Sequence, residues 1–582
     1  MKKTKYTAEN ICLHLNNEIL VDIIGLTLTI SILLSFVEFI IVRRVDVIPL
    51  ILGLLVSIFI VFKGHLINAK KHVSESNRIT YTILVLFYSF IILSIYFIHY
   101  LFPAVRSADF IVYIKRSLKF TTGSATYRDL LVLHPAIYLL LGSVFSLNIF
   151  NPVILSRLFM TTLVLLSIPL LYELSRKLYG KLAGEITLLL SIFVNIFWYY
   201  TIIVTGLYAN FLGIMLSLYL LILIKKYIES RSKWVLLYLF LTSLTALLSH
   251  ETTFLLITAI WISALYHVVV KKSFEVFKIA IIVTIPVLIL LITTSASITL
   301  ALKFITEYLL RLKILSMSAI VVGIEDPITT FLNNISPLLA NIYAFANFIG
   351  LTLFIASIAL FVVLIFQKAN GVHILPFFWV IVVWIISFFT TETYRLALYV
   401  MFPMVLFLGS LGTVLSSSKI VRFIEEIHVS RKIKKILKYE IISFIVILMF
   451  VGSGISRILA IEYLNAGHYH KLQHDIMETL LWLKENTPEN SRIISVGRWE
   501  FLFAPYIINR ECISDYPLTP NEIFTYLKDK LYGDIYVIVW NALHNATVYY
   551  IHLYENDHRF LRMWSNNAFT VFKLRLMTIN KA

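Results

Sequence analysis

Stretch after stretch of this chain is apolar over the length that a membrane-crossing helix needs. Residues 19–42 read ILVDIIGLTLTISILLSFVEFIIV, and Ile79 to Phe102 form another such run. About 20 apolar residues suffice to cross a bilayer core. Soluble chains carry about 45–50% apolar and about 25% charged residues. Here apolar residues make up 59% and charged residues 14%, with a mean hydropathy of +0.86. The expected fold class is an all-α polytopic membrane protein. About thirteen transmembrane helices are expected, near 19–42, 46–62, 79–102, 153–175, 182–200, 210–224, 234–248, 252–270, 278–298, 338–366, 372–390, 395–415 and 441–460.

The net charge of +17 is no sign of a nucleic-acid partner, because the basic residues cluster between the apolar runs. Cytoplasmic loops collect Lys and Arg. One set of connections holds Lys63, Lys70, Lys71 and Arg78, then Arg176, Lys177 and Lys181, then Lys225, Lys226, Arg231 and Lys233. It continues with Lys271, Lys272 and Lys278 and the RKIKKILK stretch within 416–440. These fall on one side only if 134–150, HPAIYLLLGSVFSLNIF, does not cross, so that segment reads as an interfacial or re-entrant helix. Arg43 and Arg44 break the pattern. The N-terminus is then cytoplasmic in a multi-pass protein of the cell (plasma) membrane, and the last 120 or so residues face outside. MKKTKYTAEN lacks a following small-residue cleavage site, so the first run reads as a retained helix. Cys12 and Cys512 have neither metal spacing nor a disulfide framework.

Three regions follow. Residues 1–78 read as an N-terminal two-helix membrane addition. Residues 79–460 read as the main membrane domain, with outer loops at 103–152 and 299–337. Residues 461–582 read as a small extracytoplasmic α/β domain. There, HDIMETLLWLKENTPENSRIISVG reads as a helix, a Pro-containing turn and a strand, and YVIVW (536–540) and FTVFKLR (569–575) read as strands. Glycosylation triplets at Asn334 and Asn545 both fall outside. No internal repeat and no Gly-rich nucleotide loop is present in the sequence.

Ionised side chains are costly inside a bilayer and usually face a cavity or a partner. On this topology Asp109, Asp129, His134, Arg157, Tyr208, Asn210, His250, Glu251, Glu392 and Arg395 all gather near the outer face. Asp109 reads either as an ordinary interfacial acid or as a general base for an acceptor hydroxyl, with or without a metal. Asp129 reads as a cap for the following helix. His134-Pro135 opens a helix, which places His134 at a positive helix end suited to phosphate. Ser249-His250-Glu251-Thr252-Thr253 is a polar cluster at a span end. In Thr391-Glu392-Thr393-Tyr394-Arg395, Arg395 offers a planar fork for phosphate oxygens that Glu392 can hold in place. The bland alternative is a Glu392–Arg395 surface pair. Glu325-Asp326, in the loop 299–337, reads as an exposed turn or as a metal or acceptor contact.

Several of these segments resemble the polytopic glycosyltransferases of the C superfamily, which use sugars linked to polyprenyl phosphates. The group includes protein mannosyltransferases, aminoarabinose transferases and oligosaccharyltransferase subunits. The matching segments are Ala108-Asp109-Phe110, the helix opening His134-Pro135 with Tyr138, NPVILSRLFMTTLVLLSIPLLYELSRKLYGKLAGE, the Arg395 span LALYVMFPMVLFLG, and WLKENTPENSRIISVG. Together they cover about residues 79–582. The resemblance implies that Asp109 is the catalytic acid position and that His134 and Arg395 lie near the donor phosphate. It also implies transfer of a sugar from a polyprenyl-phosphate (dolichyl or other) donor to a hydroxyl of an extracytoplasmic glycan, lipid or protein, in contact with membrane lipids. His250, Glu251, Tyr208, Asn210, Arg157 and Glu392 complete the expected substrate-binding set. No cofactor is firmly implied; a divalent ion, Mg or Mn, is the open candidate. Three departures stand out: a single acid in place of a pair, no WWDYG segment, and Tyr208 and Asn210 where some relatives carry an acid. The rival readings are a flippase of lipid-linked sugars, which calls for repeated halves and mid-membrane ion pairs, and a non-catalytic membrane protein of the same fold.

Overall fold

A computed structural model of the chain describes residues 17–68, 109–130, 134–149, 151–180, 183–184, 187–188, 208–250, 253–271, 274–293, 371–387, 474–498, 501, 504–512, 518–527, 534–545 and 548–575. Helices α1 (Asn17–Val42), α2 (Ile48–Asn68), α3 (Asp109–Thr122), α4 (Tyr127–Leu130), α5 (Pro135–Phe145), α6 (Pro152–Tyr179), α7 (Tyr208–Ser230), α8 (Lys233–Ser249), α9 (Thr253–Lys271), α10 (Glu275–Thr293) and α11 (Gly371–Ser387) build a bundle. Among the described residues, four helices are long and apolar enough to cross a membrane: residues 18–42, 152–179, 208–230 and 253–270. Helices α1, α2 and α6 to α11 fall on expected spans, with ends that differ by up to six residues. The expected spans near 79–102, 338–366, 395–415 and 441–460 lie outside the described residues, as does that near 182–200 except for residues 183–184 and 187–188.

The described helices run up and down between two ends. Glu18 at the start of α1 pairs with Lys177 at the end of α6 and with Lys226 near the end of α7. Arg231 pairs with Glu275 at the start of α10, and Tyr179 donates to the carbonyl of His373 at the start of α11, at 2.6 Å. This is the basic end. The opposite end gathers the last turn of α1, the starts of α6, α7 and α9, and the end of α8.

Two outcomes differ from the sequence reading. Residues 109–122 were expected as a polar outer loop and form α3 instead. Its apolar side, including Ile111, Ile114 and Phe120, is buried, while Lys115 and Lys119 are exposed. Helical periodicity on a short polar segment is easily read as loop. Second, α1 belongs to the core of the bundle: it packs on α5, α6, α7 and α8 as well as α2. Gly25 lies so close to α7 that a Cβ there would sit 2.3 Å from the Tyr219 ring. By contrast α5, the segment expected not to cross, has 11 residues. At 1.5 Å per residue it is roughly 16 Å long, about half a bilayer core, and all of its residues are buried in protein.

The C-terminal residues form a mixed sheet. Its strands are β1 (Arg492–Val496), β2 (Glu511–Cys512), β3 (Ile535–Trp540), β6 (Phe560–Ser565) and β7 (Phe569–Leu574), in the order β2-β1-β3-β7-β6; a separate hairpin pairs β4 (His544–Asn545) with β5 (Val548–Tyr549). β1 is parallel to β2 and β3, and β7 is antiparallel to β3 and β6. Strand alternation covers both faces. Ile493, Tyr536, Ile538, Phe569 and Val571 pack under the helix at 474–486, α12, with its Ile476, Leu480 and Leu483. Ile494, Val496, Ile535, Val537, Val539 and Phe572 pack on the other side with Ile523 and Tyr554.

Candidate active site

α3 and α5 lie side by side and run in the same direction. Tyr113 meets Tyr138, with ring centroids 5.6 Å apart. One turn further on, Thr121 donates to the carbonyl of Gly142 at 3.0 Å, and a Cβ on Gly142 would lie 3.2 Å from the Ser117 carbonyl oxygen. A constant offset of 25 residues thus relates 113 to 138 and 117 to 142. Carried back one turn, it sets Asp109, the first residue of α3, level with His134 at the start of α5.

His134 is the N-cap residue of α5, with left-handed backbone (φ 69°), and Pro135 follows at the first helical position. A left-handed non-glycine residue is sparsely populated and is held by its surroundings. Its imidazole stacks on His250, with centroids 4.3 Å apart and planes within 4°. His250 ends α8 in extended backbone, its N–H bonded to the Ala246 carbonyl. Of the polar cluster around it, Ser249 and Thr253 are accounted for locally. Ser249 Oγ donates to the Thr245 carbonyl at 2.7 Å, Thr253 Oγ1 to the Ala246 carbonyl at 2.9 Å, and Thr253 N–H to the His250 carbonyl at 3.1 Å. Those bonds close the turn and leave the His250 ring to meet His134. Gly213 on α7 permits the approach, since a Cβ there would lie 3.1 Å from His250 Cβ.

Tyr208, the first residue of α7, is fully buried and stacks parallel on Tyr113, at 5.8 Å and 7°. Arg116 Nη1 donates to Tyr138 Oη at 3.2 Å and the guanidinium lies over that ring. Asn210 and Arg157, on the first turn of α7 and the second of α6, are buried at the same end. The structure thus pairs His134 with His250 and Tyr208 with Tyr113, while Asn210 and Arg157 are buried at the same end of the bundle. Sequence reasoning missed Tyr113 and Arg116. Their signal was the helical period of DFIVYIKRSLKF.

Asp129 does not cap the following helix. It accepts from the backbone N–H and Oγ1 of Thr126, at 2.7 and 2.8 Å, and closes its own turn, α4. Partial burial pushes its carboxyl up. The Thr126 donors, with Lys119 and Arg116, pull it further down, below the usual carboxylate range. Glu251, Glu392, Arg395, Glu325 and Asp326 lie outside the described residues. In the C-terminal unit, His474, Asp475 and Glu478 have ligand atoms within 4.8 Å of one another. They lie at the start of α12.

In structure, the chain is similar to ArnT from Cupriavidus metallidurans in the apo state: TM-score 0.44, 10% identity, 72% of this chain and 83% of that chain covered. It is similar to the same protein bound to undecaprenyl phosphate, with a TM-score of 0.38, 9% identity and 72% and 84% covered. A third similar structure is the Archaeoglobus fulgidus oligosaccharyltransferase tethered to an acceptor peptide, with a TM-score of 0.41, 12% identity and 67% and 58% covered. No protein-family model and no curated protein matches the chain.

Proposed function

We propose that the chain is a membrane glycosyltransferase. It moves one sugar from a polyprenyl-phosphate donor to a hydroxyl of an extracytoplasmic acceptor. The observation that carries this reading is the side-by-side start of α3 and α5, with Asp109 level with the His134–His250 stack, at the end of the bundle away from the paired Lys and Arg residues. On the positive-inside rule that end faces outward, where about thirteen spans would leave the C-terminal α/β unit as well.

In the reaction, the acceptor oxygen attacks the anomeric carbon and the carbon–oxygen bond to phosphate breaks. Its electron pair leaves on the phosphate, and the acceptor proton passes to the Asp109 carboxylate. Direct attack inverts the anomeric centre. Charge building on the leaving phosphate is offset by the positive start of α5 at His134 and by Arg395. Tyr208, Asn210, Arg157, His250, Glu251 and Glu392 shape the pocket around them.

The test is to incubate membranes containing the full chain with polyprenyl-phosphate mannose, glucose and aminoarabinose, each radiolabelled in the sugar. Transfer of label to the membranes' own acceptors, with release of polyprenyl phosphate, is expected for one of these. Movement of intact donor across the bilayer without transfer would favour the flippase.

A further inference from the structure

Arg43 carries positive charge at the end of the bundle where the basic pattern of the chain calls for none, and its backbone is left-handed, with φ 64°. The structure gives it an occupation. Its guanidinium covers the ring of Tyr127, the first residue of α4. Phe39, one turn earlier on α1, meets Phe120 edge-on at 4.8 Å and Tyr127 at 6.4 Å. Val45 N–H donates to the Phe120 carbonyl at 3.0 Å, and Tyr127 Oη reaches the Ile40 carbonyl at 3.4 Å. The turn doing the gripping is itself fixed, since the Glu38 carboxylate accepts from Asp46 N–H at 2.9 Å. So the turn between α1 and α2 holds the last residues of α3 and the first of α4.

We propose that this turn is a clamp that positions Asp109, with Tyr127 and Arg43 as its positioning residues. α3 is a rod of 14 residues, roughly 21 Å long. It rests on α5 through Tyr113–Tyr138 and Gly142, is gripped at Phe120, and carries Asp109 at its far end. Loosening the grip tilts the rod and moves Asp109, and a displacement near 1 Å at a reacting group can cost about 100-fold in rate. Tyr127 is 47% exposed, so removing its ring leaves the buried core of the bundle in place. The inference rests on Asp109 being the proton acceptor.

The test uses the full chain in native membranes and the labelled donor identified from the three-sugar panel. Single turnover and donor KM are measured for Tyr127→Ala, Tyr127→Phe and Arg43→Gln, each alone and with Asp109→Asn. Tyr127→Ala should lower turnover about 10- to 100-fold with donor KM unchanged. Tyr127→Phe keeps the ring and should restore turnover. Arg43→Gln should give a smaller loss, and it carries the test if Tyr127→Ala does not accumulate. In the Asp109→Asn background both losses should vanish, because the residue they act through is gone. Losses that multiply with Asp109→Asn overturn the clamp. So does wild-type turnover in both clamp variants while Asp109→Asn is crippled, which leaves the base assignment standing. Near-wild-type turnover of Asp109→Asn, or no transfer from any donor, sinks the base assignment and the clamp together.

Discussion

The two ends of the helix bundle bury polar groups in different ways. At the basic end, carboxylates and cations meet in pairs. Lys177 and Lys226 both reach Glu18, at 2.9 and 3.2 Å, Lys226 also pairs with Asp22, and Arg176 makes two hydrogen bonds to the fully buried Glu173. Opposite charges there satisfy each other and tie α1 to α6 and α7. At the other end, rings stack on rings, His134 on His250 and Tyr113 on Tyr208, with Tyr138 tilted against Tyr113. Stacking fixes ring planes without neutralising a charge. The first arrangement suits holding helices together, and the second suits presenting oriented groups to a ligand.

That contrast fails if the acid at the stacked end proves dispensable. Asp109→Asn keeps the size of the side chain and its ability to cap a helix start, and removes only the base. Transfer should fall by about 10²–10⁴-fold, the usual contribution of a positioned base, while the protein still inserts into membranes in normal yield. Turnover assays beside quantitative immunoblots of the membrane fraction check both halves. The paired end should respond in the opposite way. Lys226→Met leaves Asp22 and Glu18 short of a cation. Breaking a buried pair costs roughly 3–5 kcal/mol, and the low end applies because the Lys226 side chain keeps 19% exposure. A lowered Tm in detergent with donor KM unchanged is expected. A shifted KM with an unchanged Tm would reverse the roles assigned to the two ends.

The sequence foretold the basic end better than the stacked one. Lys177, Lys226 and Arg231 stand at the ends of apolar runs, so their common side follows from counting charges, and the described helix ends agree with it. His134 was legible as a helix start because Pro135 fixes the first helical residue. Its partner was not, because the His134–His250 contact joins two turns 116 residues apart and depends on Gly213, a residue that carries no chemistry of its own. Asp129 was misassigned for a related reason. Its nearest donors, on Thr126, precede it, and a cap for the next helix competes on equal terms in the sequence. In the C-terminal unit β1, β3 and β7 were legible as short apolar runs rich in β-branched and aromatic residues, whereas β6 was missed because its exposed Leu561 and Met563 blur the pattern.

Arg395 extends the comparison to a cation expected to meet a ligand. Hydrogen bonds to charged groups contribute about 1.5–3 kcal/mol, so Arg395→Ala should lose roughly 10- to 100-fold in donor use. Arg395→Lys keeps the charge but not the planar fork, and should also raise donor KM. Initial rates against donor concentration decide this. Unchanged donor kinetics in the Ala variant would place Arg395 with the structural pairs.

The smallest expected effect sets two acids of the stacked end against each other. Asp129 lies on the same outer segment as Asp109, but its carboxylate is taken up by Thr126 N–H and Oγ1 and faces Lys119 at 3.7 Å. A carboxyl held below its ordinary value stabilises the fold above that value, and the contribution is lost as pH falls through the lowered one. Asp129→Asn should therefore cost no more than about 1 kcal/mol, the usual size of a cap, and only above pH ~4, the ordinary Asp range. Below that the wild type and the variant should converge. Transfer at neutral pH should stay within about twofold of wild type, since a loss of 1 kcal/mol leaves nearly all molecules folded. Thermal unfolding of both proteins from pH 3 to 7, with turnover at pH 7, checks the pair of expectations. A loss of transfer rivalling that of Asp109→Asn, without a change in Tm, would make Asp129 the working acid of this end and Asp109 the helix start.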